Sequence, residues 1–150
     1  MSNNVDHPFH YNQYKYEVIE LVRQLPFDSG NCVKYIVRAP FKNKGEDLEK
    51  AIWYAKDMLN PNSSIMDVSF DQQKINSIND MTEYFCTVVR TSGIPCAELF
   101  ASLLASVVSY SVGAGHGETI GLIRSNIQYL IRLIENNNNY KRKVFTGIKH

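Results

Sequence analysis

The stretch GNCVKYIVRAPFKNKGEDLEKAIWYA, residues 30–55, decides the predicted fold of this chain. Its first half carries apolar residues at helical spacing, and Pro40 ends that pattern because proline cannot continue a helix. Its second half opens on acidic residues, which suit the positive end of a helix dipole, and continues with another apolar stripe. The stretch therefore predicts two helices, over about 31–38 and 46–59, joined by the basic loop FKNKG.

Apolar periodicity predicts further helices on both sides of this pair. A helix over about 13–24 precedes it, and the segment FDSGN (27–31) reads as a turn with Asp28 or Ser29 as the N-cap. Three more helices follow, over about 71–90, from Pro95, and over about 118–135. No convincing strand pair is found, so the predicted fold class is all-α: a small domain of three helices followed by a three-helix extension, about six helices in all.

The composition suggests a division of the chain into two helical parts. Asn, Pro and Ser cluster in residues 60–69, which predicts a linker. Residues 1–59 then form a motif domain, residues 70–137 a helical extension for packing or oligomerisation, and residues 138–150 a basic tail. The helix that begins at Pro95 is rich in alanine and serine, and such small residues let helices pack closely, either in a homo-oligomer or within one bundle.

The charge and the cysteine content limit the classes of function and the compartment that the sequence suggests. The 150 residues carry a net charge of +1, so nothing demands nucleic acid as a specific partner. Three cysteines without CxxC spacing suggest reduced thiols in a cytosol. The longest apolar-rich stretch, residues 94–112, is interrupted by Glu98 and serines, which favours a buried helix over a membrane span. We therefore expect no membrane as a partner.

Basic and aromatic side chains concentrate in the first third of the chain. If the helices bring the basic ones together, they could hold a polyphosphate, whereas the simpler alternative is an ordinary solvated basic face. The aromatic ones could stack a base, or could serve core and rim packing. The basic set is Lys34, Arg38, Lys42, Lys44 and Lys50, and the aromatic set is Tyr11, Tyr14, Tyr16, Tyr35, Trp53 and Tyr54.

Metal chemistry has less support from the spacing of ligand residues. His7 and His10 lie in HPFHY (7–11), but His-x-x-His without a second pair is not a zinc pattern, so no metal ligand is predicted. The histidines remain candidates for phosphate contact or acid–base chemistry. Glu17 and Glu20 resemble half of a magnesium-binding carboxylate pair, for which the acidic start of the 46–59 helix is an approximate second half. Mg²⁺ stays open as a cofactor.

Three motifs in order resemble a known family. HPFHY, GNCVKYIVRA, and Lys42 with EDLEKAIWYA are similar to the phage nucleotide kinase-like family, a helical domain of unknown function in tailed phages. The resemblance covers residues 6–58. It implies a phage-encoded nucleotide-binding protein in the host cytoplasm, most concretely a (deoxy)nucleoside monophosphate kinase without a Walker motif, which this chain also lacks. The long helical extension departs from the family's short C-terminus.

The resemblance also implies site residues. Lys34, Arg38 and Lys50 would hold phosphates, and a tyrosine would pack on the base. Two other functions stay open: a protein that sequesters nucleotides or cyclic-nucleotide signals as an anti-defence factor, and an all-α nucleotide pyrophosphohydrolase. The predicted catalytic residues are His7, His10, Lys34 and Arg38, and the predicted ligand-binding residues are Tyr11, Asn31, Tyr35, Lys42, Asp47, Lys50 and Tyr54.

Overall fold

The computed structural model of the chain describes residues 15–42, 44–62, 69–113 and 116–136. Within these ranges the chain forms six helices and no strand, which confirms the all-α fold class. The helices are α1 (Val18–Val22), α2 (Phe27–Arg38), α3 (Lys44–Leu59), α4 (Gln72–Arg90), α5 (Ala97–Ser111) and α6 (His116–Asn136).

The start of α2 corrects one prediction, because FDSGN is not a turn but the first part of that helix. Pro26 is the N-cap, with φ −58°, and its carbonyl accepts a hydrogen bond from the Gly30 N–H at 2.8 Å. The Ser29 hydroxyl donates to the same carbonyl at 3.2 Å, so neither Ser29 nor Asp28 caps the helix. Gly30 allows α2 to approach α1 closely, because a Cβ at this position would lie only 3.2 Å from the Val22 carbonyl oxygen.

The first helix is shorter than its apolar pattern predicts. Of the predicted range 13–24, residues 13 and 14 lie outside the described part of the chain, and α1 covers five residues. After Val22 the chain turns, and the Leu25 N–H donates to the Val22 carbonyl at 3.1 Å. This turn brings Leu25 into the core beside Leu21. The helices α3, α4 and α6 begin and end within two residues of the predicted positions, and α5 begins two residues after Pro95. Asp71 caps α4 by accepting from the Lys74 N–H at 2.7 Å.

All six helices contribute to one hydrophobic core. α2 packs against α3, α5 packs between α4 and α6, and α5 also contacts α2. The predicted boundary at 60–69 therefore separates two sets of helices that pack on one another, and its residues 63–68 lie outside the described ranges, as does the predicted tail. Fully buried side chains from each helix include Leu21, Ile36, Leu48, Phe85, Phe100, Leu104 and Ile123.

The small residues of α5 are used inside the bundle. Ala101 is fully buried, and the buried Ser106 hydroxyl donates to the Leu103 carbonyl at 3.1 Å. The Asn126 amide of α6 donates to the Ser102 hydroxyl at 2.9 Å, which ties α6 to α5. Packing within one chain thus accounts for the composition of α5, and the homo-oligomer stays a prediction. No helix in the described part of the chain is long and apolar enough to cross a membrane.

Two neighbouring residues of α6 test which face of this helix is buried. Ile123 is 0% exposed and Leu122 is 48% exposed. Because truncating a buried aliphatic side chain removes apolar burial and leaves a cavity, Ile123→Ala should lower the free energy of unfolding by about 2–5 kcal/mol. Leu122→Ala, the matched control, should lower it by less than about 1 kcal/mol. Urea unfolding followed by circular dichroism measures both, and equal losses would contradict the assigned face.

Candidate functional site

Polar and aromatic residues of α2 and α3 meet in a row along one side of this antiparallel helix pair. On each helix the members are three or four residues apart, so they share one face. Side-chain contacts join the first, third and fourth positions of α2 to their counterparts on α3, which sets the register of the row. We call this row the α2–α3 edge: Asp28, Asn31, Tyr35 and Arg38 of α2 lie opposite Asp57, Tyr54, Lys50 and Asp47 of α3.

Tyr35 lies at the centre of the α2–α3 edge and gathers positive charge. Its ring is nearly parallel to that of Tyr54, with centroids 6.1 Å apart and an interplanar angle of 7°. The Lys34 Nζ lies 4.7 Å and the Lys50 Nζ 5.3 Å from the Tyr35 centroid. Both distances are within the range of a cation–π contact, so the two ammonium groups lie at most about 10 Å apart.

One turn further along α2, Arg38 adds a third cation. Its Nε lies 3.0 Å from Oδ2 of Asp47; the Asp47 side chain is 1% exposed and the Arg38 side chain 46% exposed. A buried carboxylate thus pairs with the guanidinium of a half-exposed side chain, and a guanidinium has further N–H donors besides the one at Nε. The structure thus places Asp47 where it orients Arg38 and not where it would touch a ligand.

The charges of the two lysines are compensated unequally. The Lys50 Nζ lies 3.2 Å from Oε2 of Glu46, and both side chains are at least a third exposed. Such a surface pair contributes little free energy, so an anion can compete for Lys50. Lys34 is exposed and forms no ion pair with any residue that the structure describes. The edge therefore has an excess of positive charge around Tyr35.

A pair of carboxyl groups lies at the opposite end of the edge. The pKa of Asp28 is raised from 3.8 to about 7, chiefly by burial, and further by a hydrogen bond to Asp57 and by repulsion from its charge. Near neutral pH the Asp28 carboxyl is therefore partly protonated and can donate a hydrogen bond to Asp57. Sequence reasoning considered Asp28 only as an N-cap and did not connect it with Asp57. Their pairing follows from the antiparallel register, which a periodicity analysis of one helix at a time does not use.

Phe27, the first residue of α2, is an exposed aromatic residue beside this pair. Its side chain is 60% exposed, and its ring contacts Tyr54 edge-on at a centroid distance of 5.9 Å. Trp53 contacts the same tyrosine edge-on at 5.1 Å. Sequence reasoning missed Phe27 because it placed this residue in a turn. The signal was available in the spacing, since position 27 lies one helical turn before Asn31.

The structure brings together most, but not all, of the predicted site residues. Asn31 lies on the edge, but its amide donates to the Phe27 carbonyl of its own helix at 2.9 Å. Lys42 is exposed beyond the end of α2, near Arg38, whose carbonyl accepts the Lys42 N–H at 3.1 Å. The predicted residues His7, His10 and Tyr11 lie outside the described ranges. Those in contact along the edge are Lys34, Tyr35, Arg38, Asp47, Lys50 and Tyr54.

The carboxylates of α1 do not join the site. Glu20 accepts the Glu17 N–H at 2.7 Å, and together they form a capping box at the start of the helix. Among the described residues, no group of three or more His, Cys, Asp or Glu side chains is placed to hold a metal ion. The magnesium half-site that the Glu17–Glu20 spacing suggested is thus a helix cap in the structure.

A surface cavity of about 500 Å³ lies away from the α2–α3 edge, between the start of the described chain and α4. The Lys15 N–H donates to the Tyr84 hydroxyl at 2.7 Å, and the Tyr16 ring packs edge-on against Tyr84 at 5.4 Å. None of the predicted site residues lines this cavity. Its walls are Lys15, Tyr16, Asp80, Glu83, Tyr84 and Thr87.

Comparison with known proteins adds a family match over the first third of the chain. A family model described as a protein of unknown function (DUF3310) matches residues 5–56. Comparison with curated proteins and with solved structures finds no match. The matched range contains every predicted site residue and all of the α2–α3 edge except Asp57. The chain is therefore similar to this family in the region that builds the edge, and the match assigns no activity.

The carboxyl pair predicts a pH dependence of stability. Because the pKa of Asp28 is about 7 in the folded chain against an ordinary 3.8, folding takes up a proton between these values. The free energy of unfolding should therefore fall as the pH rises from about 4 through 7. Asp57→Asn removes the repulsion, so the variant should melt above the wild type at pH 8 and close to it at pH 5.

Thermal unfolding across this pH range measures the effect. Asp80→Asn, which changes an exposed carboxylate of α4, is the control and should follow the wild-type pH dependence. An Asp57→Asn variant whose melting temperature runs parallel to that of the wild type from pH 5 to pH 8 would contradict the effect of Asp57 on the pKa of Asp28.

Proposed function

We propose that the protein binds nucleotides at the α2–α3 edge. One observation carries the proposal: the ammonium groups of Lys34 and Lys50 converge on the ring of Tyr35, with Arg38 one turn away. On an ordinary solvated basic face, lysines repel one another and point outward into water. Here both ammonium groups lie within cation–π distance of one ring, so a single phosphate group between them could pair with both.

The three cations suit a phosphate group in complementary ways. The lysine ammonium group is a compact charge on a flexible side chain, and the arginine guanidinium is a planar group that can hydrogen-bond to two phosphate oxygens. Tyr35 limits the movement of both lysine head groups, and buried Asp47 fixes the guanidinium of Arg38. The site is therefore partly organised before the ligand arrives, which lowers the entropy lost on binding.

The activity that we propose is phosphoryl transfer to a nucleoside monophosphate. Phosphoryl transfer depends mainly on positioning the phosphates and neutralising their charge, and the edge provides groups of that kind. The resemblance of residues 6–58 to the phage nucleotide kinase-like family points to the same activity. In this proposal His7 and His10 contact the phosphates or carry a proton, as the motif suggested. The proposal assigns no protein ligand to Mg²⁺.

The openness of the edge favours a second candidate, sequestration without turnover. The side chains of Lys34 and Arg38 are exposed, and Lys50 is partly exposed. A kinase excludes water from the transferred phosphoryl group, because water would otherwise accept it. A sequestering protein has no such requirement and could use the edge as it stands.

Incubation with a nucleoside monophosphate and a nucleoside triphosphate separates the candidates. A kinase forms diphosphate from both substrates only when the two are present together. A sequestering protein forms no product, but the nucleotide raises its melting temperature. A pyrophosphohydrolase releases monophosphate from the triphosphate alone.

Lys34→Ala tests the site itself. Removal of one converging charge should lower nucleotide affinity at least about tenfold, since a charge-assisted hydrogen bond contributes roughly 1.5–3 kcal/mol. Lys74→Ala is the matched control: Lys74 lies 5.0 Å from the Phe70 ring, so it too is a lysine over an aromatic ring, but on α4. Titration calorimetry measures both variants. Wild-type affinity in Lys34→Ala, or an equal loss in Lys74→Ala, would contradict the assignment.

A further inference from the structure

The two tyrosines of the α2–α3 edge are engaged within the protein. Tyr35 lies parallel to Tyr54 and carries the Lys34 and Lys50 ammonium groups over its ring. Tyr54 is contacted by Tyr35, by Phe27 and by Trp53. A base that stacked on Tyr35 would have to displace the cations that are needed for its own phosphates. The two tyrosines are therefore better suited to holding the neighbouring side chains in place than to stacking on the base of a nucleotide.

Phe27 is the ring of this aromatic group that faces solvent. Its side chain is 60% exposed, and its edge-on contact with Tyr54 holds it in place. Stacking of a base on an aromatic ring needs an open face and tolerates any of the four bases. Phe27 meets this requirement at the end of the edge that lies farthest from Arg38.

The charges along the α2–α3 edge favour one orientation of a bound nucleotide. Asp28 follows Phe27 directly and pairs with Asp57, so this end carries negative charge. Lys34, Lys50 and Arg38 carry positive charge toward the other end. Phosphates are repelled from the first end and attracted to the second, which leaves the Phe27 end to the uncharged base.

The length of the edge then indicates how many phosphates the ligand has. The ring centroids are 5.9 Å apart from Phe27 to Tyr54 and 6.1 Å apart from Tyr54 to Tyr35. Eight residues of helix rise separate Phe27 from Tyr35, which corresponds to about 12 Å. In a nucleoside monophosphate the phosphate is joined directly to the ribose beside the base, whereas second and third phosphates reach farther from the ring.

We propose that Phe27 stacks the base of a nucleoside polyphosphate whose terminal phosphates bind between Lys34, Lys50 and Arg38. This inference rests on the proposed nucleotide binding and adds the polarity of the ligand, its size class and the residue that contacts the base. Within the proposed kinase, the edge thus takes the phosphoryl donor, and the monophosphate acceptor binds next to its terminal phosphate.

Titration calorimetry with ATP, AMP and inorganic tripolyphosphate on the full chain tests the inference. Phe27→Ala should weaken ATP binding about tenfold, because it removes one stacking contact, and should leave tripolyphosphate binding unchanged. Phe27→Trp keeps a stacking ring and should retain ATP affinity. Tyr129→Ala changes a 51% exposed ring on α6 and is the matched control, for which all affinities should equal those of the wild type.

The outcomes distinguish the inference from the proposed function. Wild-type ATP affinity in Phe27→Ala, with far-UV circular dichroism showing a folded variant, overturns the role of Phe27 and leaves nucleotide binding intact. AMP affinity equal to that of ATP overturns the polyphosphate assignment. If the wild type and Phe27→Ala both bind tripolyphosphate as tightly as ATP, the proposal of nucleotide recognition itself is overturned. The same holds if the wild type binds none of the three probes. Loss of ATP affinity in Phe27→Trp also counts against stacking.

Discussion

The antiparallel register of α2 and α3 is the constraint on which the rest of the site depends. It is set by the core: Cys32, Val33 and Ile36 of α2 and Leu48 and Ala51 of α3 are all fully buried. Because side chains in a well-packed core cannot slide past one another without creating voids, this register is rigid. The edge residues lie on the same two helices, so the core decides that Tyr35 meets Lys50 and that Asp28 meets Asp57.

The buried carboxylate of Asp47 connects this core to the exposed cations. A buried charge is tolerated when it is paired, and Arg38 supplies the partner at 3.0 Å. The pairing gains little net stability over an apolar pair of the same shape, so it is better explained by what it does to Arg38. The guanidinium is held on the same side of the helix pair as the two lysines, where it adds to their potential.

The sequence predicted the helices well because their signals are local. Apolar periodicity and caps lie within one helix: α3, α4 and α6 begin and end close to the predicted residues, and α5 begins close to the predicted one. FDSGN was misjudged because glycine usually marks a turn, whereas Gly30 serves the close approach of α1. Phe27 was missed because it was assigned to the FDSGN turn, and the Asp28–Asp57 pair was missed because it depends on how α3 lies against α2. The convergence of Lys34 and Lys50 was available only as a hypothesis for the same reason.

The absence of a glycine-rich phosphate loop from the sequence explains why an aromatic ring is central to the proposed site. A phosphate loop binds with backbone N–H groups, which the fold has already ordered. Lysine side chains are flexible, and ordering each of them on binding costs up to about 2 kcal/mol. Tyr35 reduces this cost because its ring attracts both ammonium groups before a ligand arrives. On a surface built from two helix faces, the tyrosine thus provides the order that a loop would otherwise supply.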